Sequence, residues 1–179
     1  MRIISGDFGG RVVTAPKEFD LRPTTDRAKE SLFNILNNEF DFSEVSLLDL
    51  FAGIGSISLE CASRGSSDIV SVEKNGKHAA FVRQTASKFG IKGMKVLNVE
   101  VRDFLKIANR EFTIVFADPP YNLPWLADIP NAIYASKVVG PDTLVIVEHP
   151  DSVDFSNHPN FSRVCNYGKV HFSFFRTKS

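Results

Sequence analysis

From Val45 to His149 the chain repeats one pattern: a short, almost wholly apolar run, a polar break, then apolar positions at helical spacing. The apolar runs are VSLLDLFA (45–52), DIVSVE (68–73), KVLNVE (95–100), FTIVFAD (112–118) and TLVIVEH (143–149). Helical stretches lie around Ile57 to Arg64, Lys77 to Phe89, Val101 to Asn109 and Ile129 to Ala135. Strands that are apolar on both faces and alternate with helices predict a parallel sheet covered on both sides. The segment FSRVCNYGKVHFSFFR (161–176) differs, with two strands flanking Tyr167-Gly168, and predicts a hairpin with at least one antiparallel strand. Before Val45, the β-prone runs Arg2 to Ser5 and Arg11 to Thr14 are split by Gly6, Gly9 and Gly10, which predicts an N-terminal hairpin. RPTTDRAKESLFNILNNEF (22–40) predicts a helix. Thr24 or Thr25 can cap it, Asp26 suits its positive end, and Ala28, Leu32, Ile35 and Leu36 form its apolar stripe.

Five strand–helix units closed by a hairpin make seven strands. That is the layout of an α/β, Rossmann-like methyltransferase domain with a reversed last strand, rather than of a dinucleotide dehydrogenase. The expected organisation is an N-terminal hairpin arm over residues 1–22 and one domain over residues 23–179. A chain of 179 residues, 43% hydrophobic and 23% charged, can bury one such core without disulfides or a structural metal. Most of the sixteen Phe residues belong in that core.

Charge and candidate chemistry narrow the function. The net charge is zero, so overall balance does not advertise a nucleic-acid partner. Lys74, Lys77, Arg83, Lys88, Lys92 and Lys95 nevertheless follow Glu73 with no acid among them, as a solvated helix face or a phosphate track would. The N-terminus has no charged-then-apolar leader, and apolar runs of six or so residues fall far short of the ~20 of a membrane span, so a cytoplasmic protein is expected. Cys61 and Cys165 lie far apart with no CxxC, which predicts reduced thiols rather than a disulfide or a zinc site. Without HExxH or G-x-S-x-G, the parts of a metal hydrolase or serine hydrolase are missing, and no metal is expected.

LLDLFAGIGSISLECASRG (47–65) places Asp49 near the end of the first strand and Gly53-Ile54-Gly55 in the turn to a helix. In such sheets ligands bind beyond the carboxyl ends of the strands, and glycines let backbone approach them. No third glycine follows within Ser56-Ile57-Ser58, which does not favour a snugly held pyrophosphate. Asp49 can face a cationic or amine-bearing ligand. Glu73, twenty residues after Gly53, ends the second strand where an acid can accept from both ribose hydroxyls. Together they favour S-adenosyl-L-methionine over NAD. Glu100, ending the third strand, can accept from an adenine amino group while Val101 packs on the ring. Asp103 competes for that role, and either acid can instead cap a helix.

Strand four ends in Asp118-Pro119-Pro120-Tyr121. Asp-Pro and Pro-Pro make a stiff turn whatever else they do. The same residues suit methylation of an exocyclic amine: the Asp118 carboxylate and Pro119 carbonyl can bind the two amino hydrogens and direct the nitrogen lone pair at a methyl carbon. Proline brings a fixed φ and no competing N–H. Tyr121 can stack on an unstacked base, a contact worth roughly 1–3 kcal/mol.

RIISGDFGGR and RPTTDRAKESLFNIL, followed by LLDLFAGIGSISLECASRG and VFADPPY, resemble the RsmD family of 16S rRNA (guanine-N2)-methyltransferases, in order along nearly the whole chain. The resemblance implies a class I S-adenosyl-L-methionine-dependent methyltransferase that acts on the N2 amine of a guanine in 16S rRNA, within the assembling or assembled small ribosomal subunit. It implies Asp118, Pro119, Pro120 and Tyr121 as the catalytic motif. Asp49, Phe51, Gly53, Gly55 and Glu73 would hold the donor, with Ala52, Lys74, Glu100 and Val101 beside it. Arg11, Arg22, Thr24, Asp26 and Arg27 match positions near the site or the RNA, where the arginines can pair with phosphates and Thr24 and Asp26 can alternatively cap the helix. Competing readings are a DPPY enzyme acting on adenine-N6 of DNA or on a protein glutamine, and a non-catalytic nucleotide-binding module.

Overall fold

The computed structural model describes residues 1–21 and 24–178. The apolar runs form five parallel strands, β1 (Ser46–Leu50), β2 (Asp68–Val72), β3 (Met94–Leu97), β4 (Ile114–Ala117) and β5 (Leu144–His149). The C-terminal hairpin adds β6 (Phe161–Tyr167) and β7 (Val170–Arg176), in the sheet order β3-β2-β1-β4-β5-β7-β6. Strand β7 is antiparallel to both of its neighbours, so it alone runs against the rest. The fold is the α/β, Rossmann-like, seven-stranded one with a reversed last strand.

Alternate residues of each strand supply two cores, as the period of two requires. Leu48, Leu50, Val70, Val115 and Val145 pack on Phe104, Leu105 and Ile133 of helices α4 (Val101–Ile107) and α5 (Ile129–Tyr134). Leu47, Ile69, Phe116, Ile146 and Phe172 pack on Leu32, Phe33 and Ile57 of α1 (Asp26–Asn37) and α2 (Ser56–Ser63). Helix α3 (Gly76–Lys88) lays Ala79 and Val82 against Val96. Both cysteines are free thiols, and burial pushes that of Cys61 up to about 12, where it is inert.

Strand order reverses at β1, which has β2 on one side and β4 on the other. The loops leaving β1 and β4 therefore diverge and open a crevice at the carboxyl end of the sheet.

Two elements depart from expectation. Strand β3 ends at Leu97, not Glu100: the Asn98 side chain donates to the carbonyls of Glu73 and Lys74, both at 2.9 Å, and takes the chain out of the ladder. Glu100 becomes the N-cap of α4, where its Oε2 accepts from the N–H groups of Arg102 (2.8 Å) and Asp103 (3.2 Å). The N-terminal hairpin has reciprocal bonds, Ile3 N–H to Arg11 O at 2.9 Å and Gly10 N–H to Ile3 O at 2.8 Å, but a single bridge, Arg2 with Val12, instead of two strands. Other hydrogen bonds tie it to the body of the domain. Ile4 and Ser5 donate to Glu60 at 2.7 and 3.1 Å, and Ile3 and Val13 pack on Leu59. Glu60 is held there by Lys29 (3.6 Å) and Arg64 (3.0 Å), and Lys29 also donates to the Arg2 carbonyl at 2.6 Å.

Candidate active site

The crevice is a cavity of about 1440 Å³, larger than the roughly 300–1,000 Å³ of an ordinary small-molecule pocket. One lobe is built from the loop after β1. Phe51, Gly53 and Gly55 all have positive φ, at 61°, 59° and 82°. A left-handed non-glycine residue costs about 1–2 kcal/mol, and Phe51 holds that backbone while its ring packs 5.9 Å from Trp125. The two glycines serve different ends. A Cβ on Gly55 would meet Val82 Cγ1 at 2.9 Å, so this glycine lets α2 pack on α3. Among the described residues a Cβ on Gly53 would have only Leu21 near it, at 3.9 Å, so this backbone faces the cavity.

Glu73 organises the loop. Its Oε2 accepts from Gly53 N–H at 2.7 Å and its Oε1 from Asn75 N–H at 2.9 Å, which fixes both oxygens at the cavity wall with lone pairs to spare. Asp49 lies deeper, 2% exposed, and accepts from the Ser58 hydroxyl at 2.6 Å, which stands 2.7 Å from that of Ser71. Burial, opposed by the Ser58 hydrogen bond, pushes the Asp49 carboxyl up to about 7. Ala52, Lys74, Glu100 and Val101 complete this lobe. Of the two acids considered for an adenine contact, Glu100 borders the cavity, and its helix-capping bonds fall on Oε2, leaving Oε1 for a ligand. Asp103 is exposed on α4 and is not part of the wall.

The second lobe holds Asp118, Pro119, Pro120 and Tyr121. Beside them is a residue outside the predicted set, Glu148. Ala117 and Val147 are register partners on β4 and β5, so the next residues, Asp118 and Glu148, stand side by side on the same face of the sheet. Thr24 lies across them, its hydroxyl donating to Glu148 Oε2 at 2.8 Å and standing 3.5 Å from Asp118 Oδ2. Burial, then the neighbouring Glu148 carboxylate, hold the Asp118 carboxyl well above the usual range. Like charges set side by side make it costly for both to ionise. An acid at the carboxyl end of a strand adjoining the DPPY strand was the available signal for Glu148; only the β4–β5 register gives it meaning.

The residues expected at RNA separate. Thr24 is neither the helix cap nor a surface contact: Thr25 caps α1, accepting from Ala28 N–H at 3.1 Å, while Thr24 is buried in the site. Asp26 accepts from Arg2 N–H at 3.3 Å and joins hairpin to helix. Arg27 is exposed at the cavity mouth. Arg11 sits over the stacked rings of Phe8 and Phe89, at 5.2 and 5.0 Å. Phe89 is eleven residues along α3 from His78, which borders the cavity. Arg11 is thus about three helical turns from the cavity, outside the site itself, and of the two expected places, near the site or near the RNA, only the second is open to it. Arg22 lies outside the described residues. The turn of the β6–β7 hairpin, Tyr167 to Lys169, closes the far wall of the cavity, although nothing in its sequence marks it as more than a turn.

Among known proteins, Ribosomal RNA small subunit methyltransferase D of Escherichia coli (strain K12) is 30% identical over 148 residues, 83% of this chain and 74% of that protein. The solved structure of a hypothetical protein of Thermus thermophilus superposes with a TM-score of 0.87 at 27% identity, over 99% of both chains. An RNA methyltransferase from Salinibacter ruber, solved in complex with S-adenosyl-L-homocysteine, shares the fold with a TM-score of 0.66 at 16% identity, over 87% of this chain and 93% of that one. A family model described as Conserved hypothetical protein 95 matches residues 1–176, and the chain belongs to this family, the RsmD family of ribosomal RNA small-subunit methyltransferases.

Proposed function

We propose that the protein transfers the methyl group of S-adenosyl-L-methionine to the exocyclic N2 amine of a guanine in 16S rRNA, on assembling or assembled small subunits in the cytoplasm. One observation carries the reading: a single cavity joins a lobe of ribose-binding type, Glu73 on the Gly53 loop, to a lobe where Asp118 and Pro119 present adjacent acceptors. Its volume suits a donor and an unstacked base together.

The chain's own residues would supply alignment. Glu73 would take the ribose hydroxyls, Glu100 Oε1 and Val101 the adenine, and Asp49 the positive charge of the donor. Asp118 and the Pro119 carbonyl would hold the two amino hydrogens, so that the nitrogen lone pair faces the methyl carbon. As the N–C bond forms, the S–C bond breaks, its electron pair stays on a now neutral thioether, and one amino proton passes to the Asp118–Glu148 pair or to water. Tyr121 would stack on the base. Arg27, Lys74 and Lys169 rim the cavity and would meet phosphates of the target strand, and Arg11 those of flanking RNA.

The test is transfer of labelled methyl to small subunits, naked 16S rRNA, DNA and protein, with Asp118→Ala as control and mass spectrometry of the nucleosides. N2-methylguanosine in small-subunit RNA is expected. Label in DNA or protein but never in RNA would overturn the reading.

A further inference from the structure

Guanine offers three hydrogens on neighbouring atoms, two on the N2 amine and one on N1. Asp118 and the Pro119 carbonyl account for the amine pair and leave the N1–H without an acceptor. Glu148 stands where that acceptor belongs. It is next to Asp118 through the β4–β5 register, borders the cavity and is 4% exposed. The Thr24 hydroxyl donates to Glu148 Oε2 at 2.8 Å and holds the carboxylate at that wall. Burying a second carboxylate against Asp118 opposes folding; Glu148 is nevertheless kept at the cavity wall.

On the reading of this cavity as a guanine N2 methylation site, we propose that Glu148 accepts the N1–H of the target guanine and thereby selects guanine over bases whose N1 bears a lone pair. Adenine and 2-aminopurine would set that lone pair against the carboxylate. The Thr24 hydroxyl, 2.8 Å from Glu148 Oε2, would steady that carboxylate.

The experiment compares small subunits reconstituted with guanine or with 2-aminopurine at the modified position, which nucleoside mass spectrometry locates. 2-Aminopurine keeps the 2-amine and lacks the N1–H. The wild-type protein should favour guanine by about 100-fold or more in kcat/KM. In Glu148→Gln the amide can turn its N–H to the N1 lone pair, so the ratio should fall by about tenfold or more, with donor affinity unchanged. A residue that merely supports the fold would lower both rates and leave the ratio alone. Should Glu148→Gln give too little transfer for a ratio, Glu148→Asp is read the same way, because its carboxylate retreats by one methylene from N1. A ratio unaltered by substitution, or a wild type that accepts 2-aminopurine as readily as guanine, overturns the proposal. Failure of wild type to make N2-methylguanosine at all would instead overturn the proposed function.

Discussion

At the scale of single residues, the site depends on where carboxylates are buried. Asp118→Asn keeps the shape of the side chain, but puts a donor-only amide NH2 in place of one carboxylate oxygen and removes the group that takes up the amino proton. Transfer to small subunits is expected to fall by about 10²–10⁴-fold, with donor affinity within about threefold by calorimetry. Asp49 makes a pH-dependent prediction. Its carboxyl is raised from 3.8 to about 7 in the folded protein, so the folded state binds a proton that the unfolded state has lost. Stability of the ligand-free protein therefore falls as pH rises from about 4 to about 7 and levels off above, a contribution on the order of 4 kcal/mol. A cationic donor favours the ionised form, so its binding near pH 7 should release a proton. Calorimetry in buffers of different ionisation enthalpy should detect that proton in the wild type and not in Asp49→Asn.

At the scale of elements, junctions decide more than interiors. Gly53 and Gly55 look alike in sequence, yet one faces the cavity and the other the Val82 side chain. Gly55→Ala should therefore destabilise by about 1–3 kcal/mol in denaturant titrations. Gly53→Ala should carry mainly the smaller left-handed backbone cost and show its larger effect as weakened donor binding. The hairpin is fastened by Glu60 and Lys29, whose side chains have no exposed surface. Burial lowers the Lys29 ammonium against the pull of Glu60. Lys29→Met removes one of the two cations on Glu60 and leaves Arg64 as the other, and it strips the Arg2 carbonyl of its donor, so it should cost about 1–3 kcal/mol. Faster hydrogen exchange is expected at the amides of Ile4 and Ser5, both bonded to Glu60. The hairpin reads in the sequence as an arm. It is fastened to the domain because Glu60, far along the chain, offers two acceptors to its backbone.

At the scale of the molecule, zero net charge puts the burden of RNA binding on a few placed cations and on shape. Lys169, in the turn that closes the far wall, is one of these. Lys169→Glu should weaken association with small subunits several-fold, and make it less dependent on salt, while leaving donor affinity unchanged. The outcome would be read by filter binding at two ionic strengths.

The fold was legible because its code is local. Val45 to His149 alternates two-sided apolar runs with helical spacing, and Tyr167-Gly168 announces the hairpin that brings in the reversed strand. Asp49, Glu73 and Asp118 were legible for a related reason: in a parallel sheet, an acid at the carboxyl end of a strand lies at the crevice whatever the details. What the sequence could not decide depended on distance between elements. Thr24 stood one position from the true cap, and only its approach to Glu148 gave it a place in the site. Arg11 was expected near the site or the RNA, and only the Phe8 and Phe89 rings, which hold it at the far end of α3, separate the two. Glu148 looked like the tail of an apolar run until β4–β5 register set it against Asp118. Hydrophobic period and turn chemistry act over a few residues and determine the elements, whereas hydrogen bonds and charge repulsion act across space, so only the tertiary structure decided which acids meet.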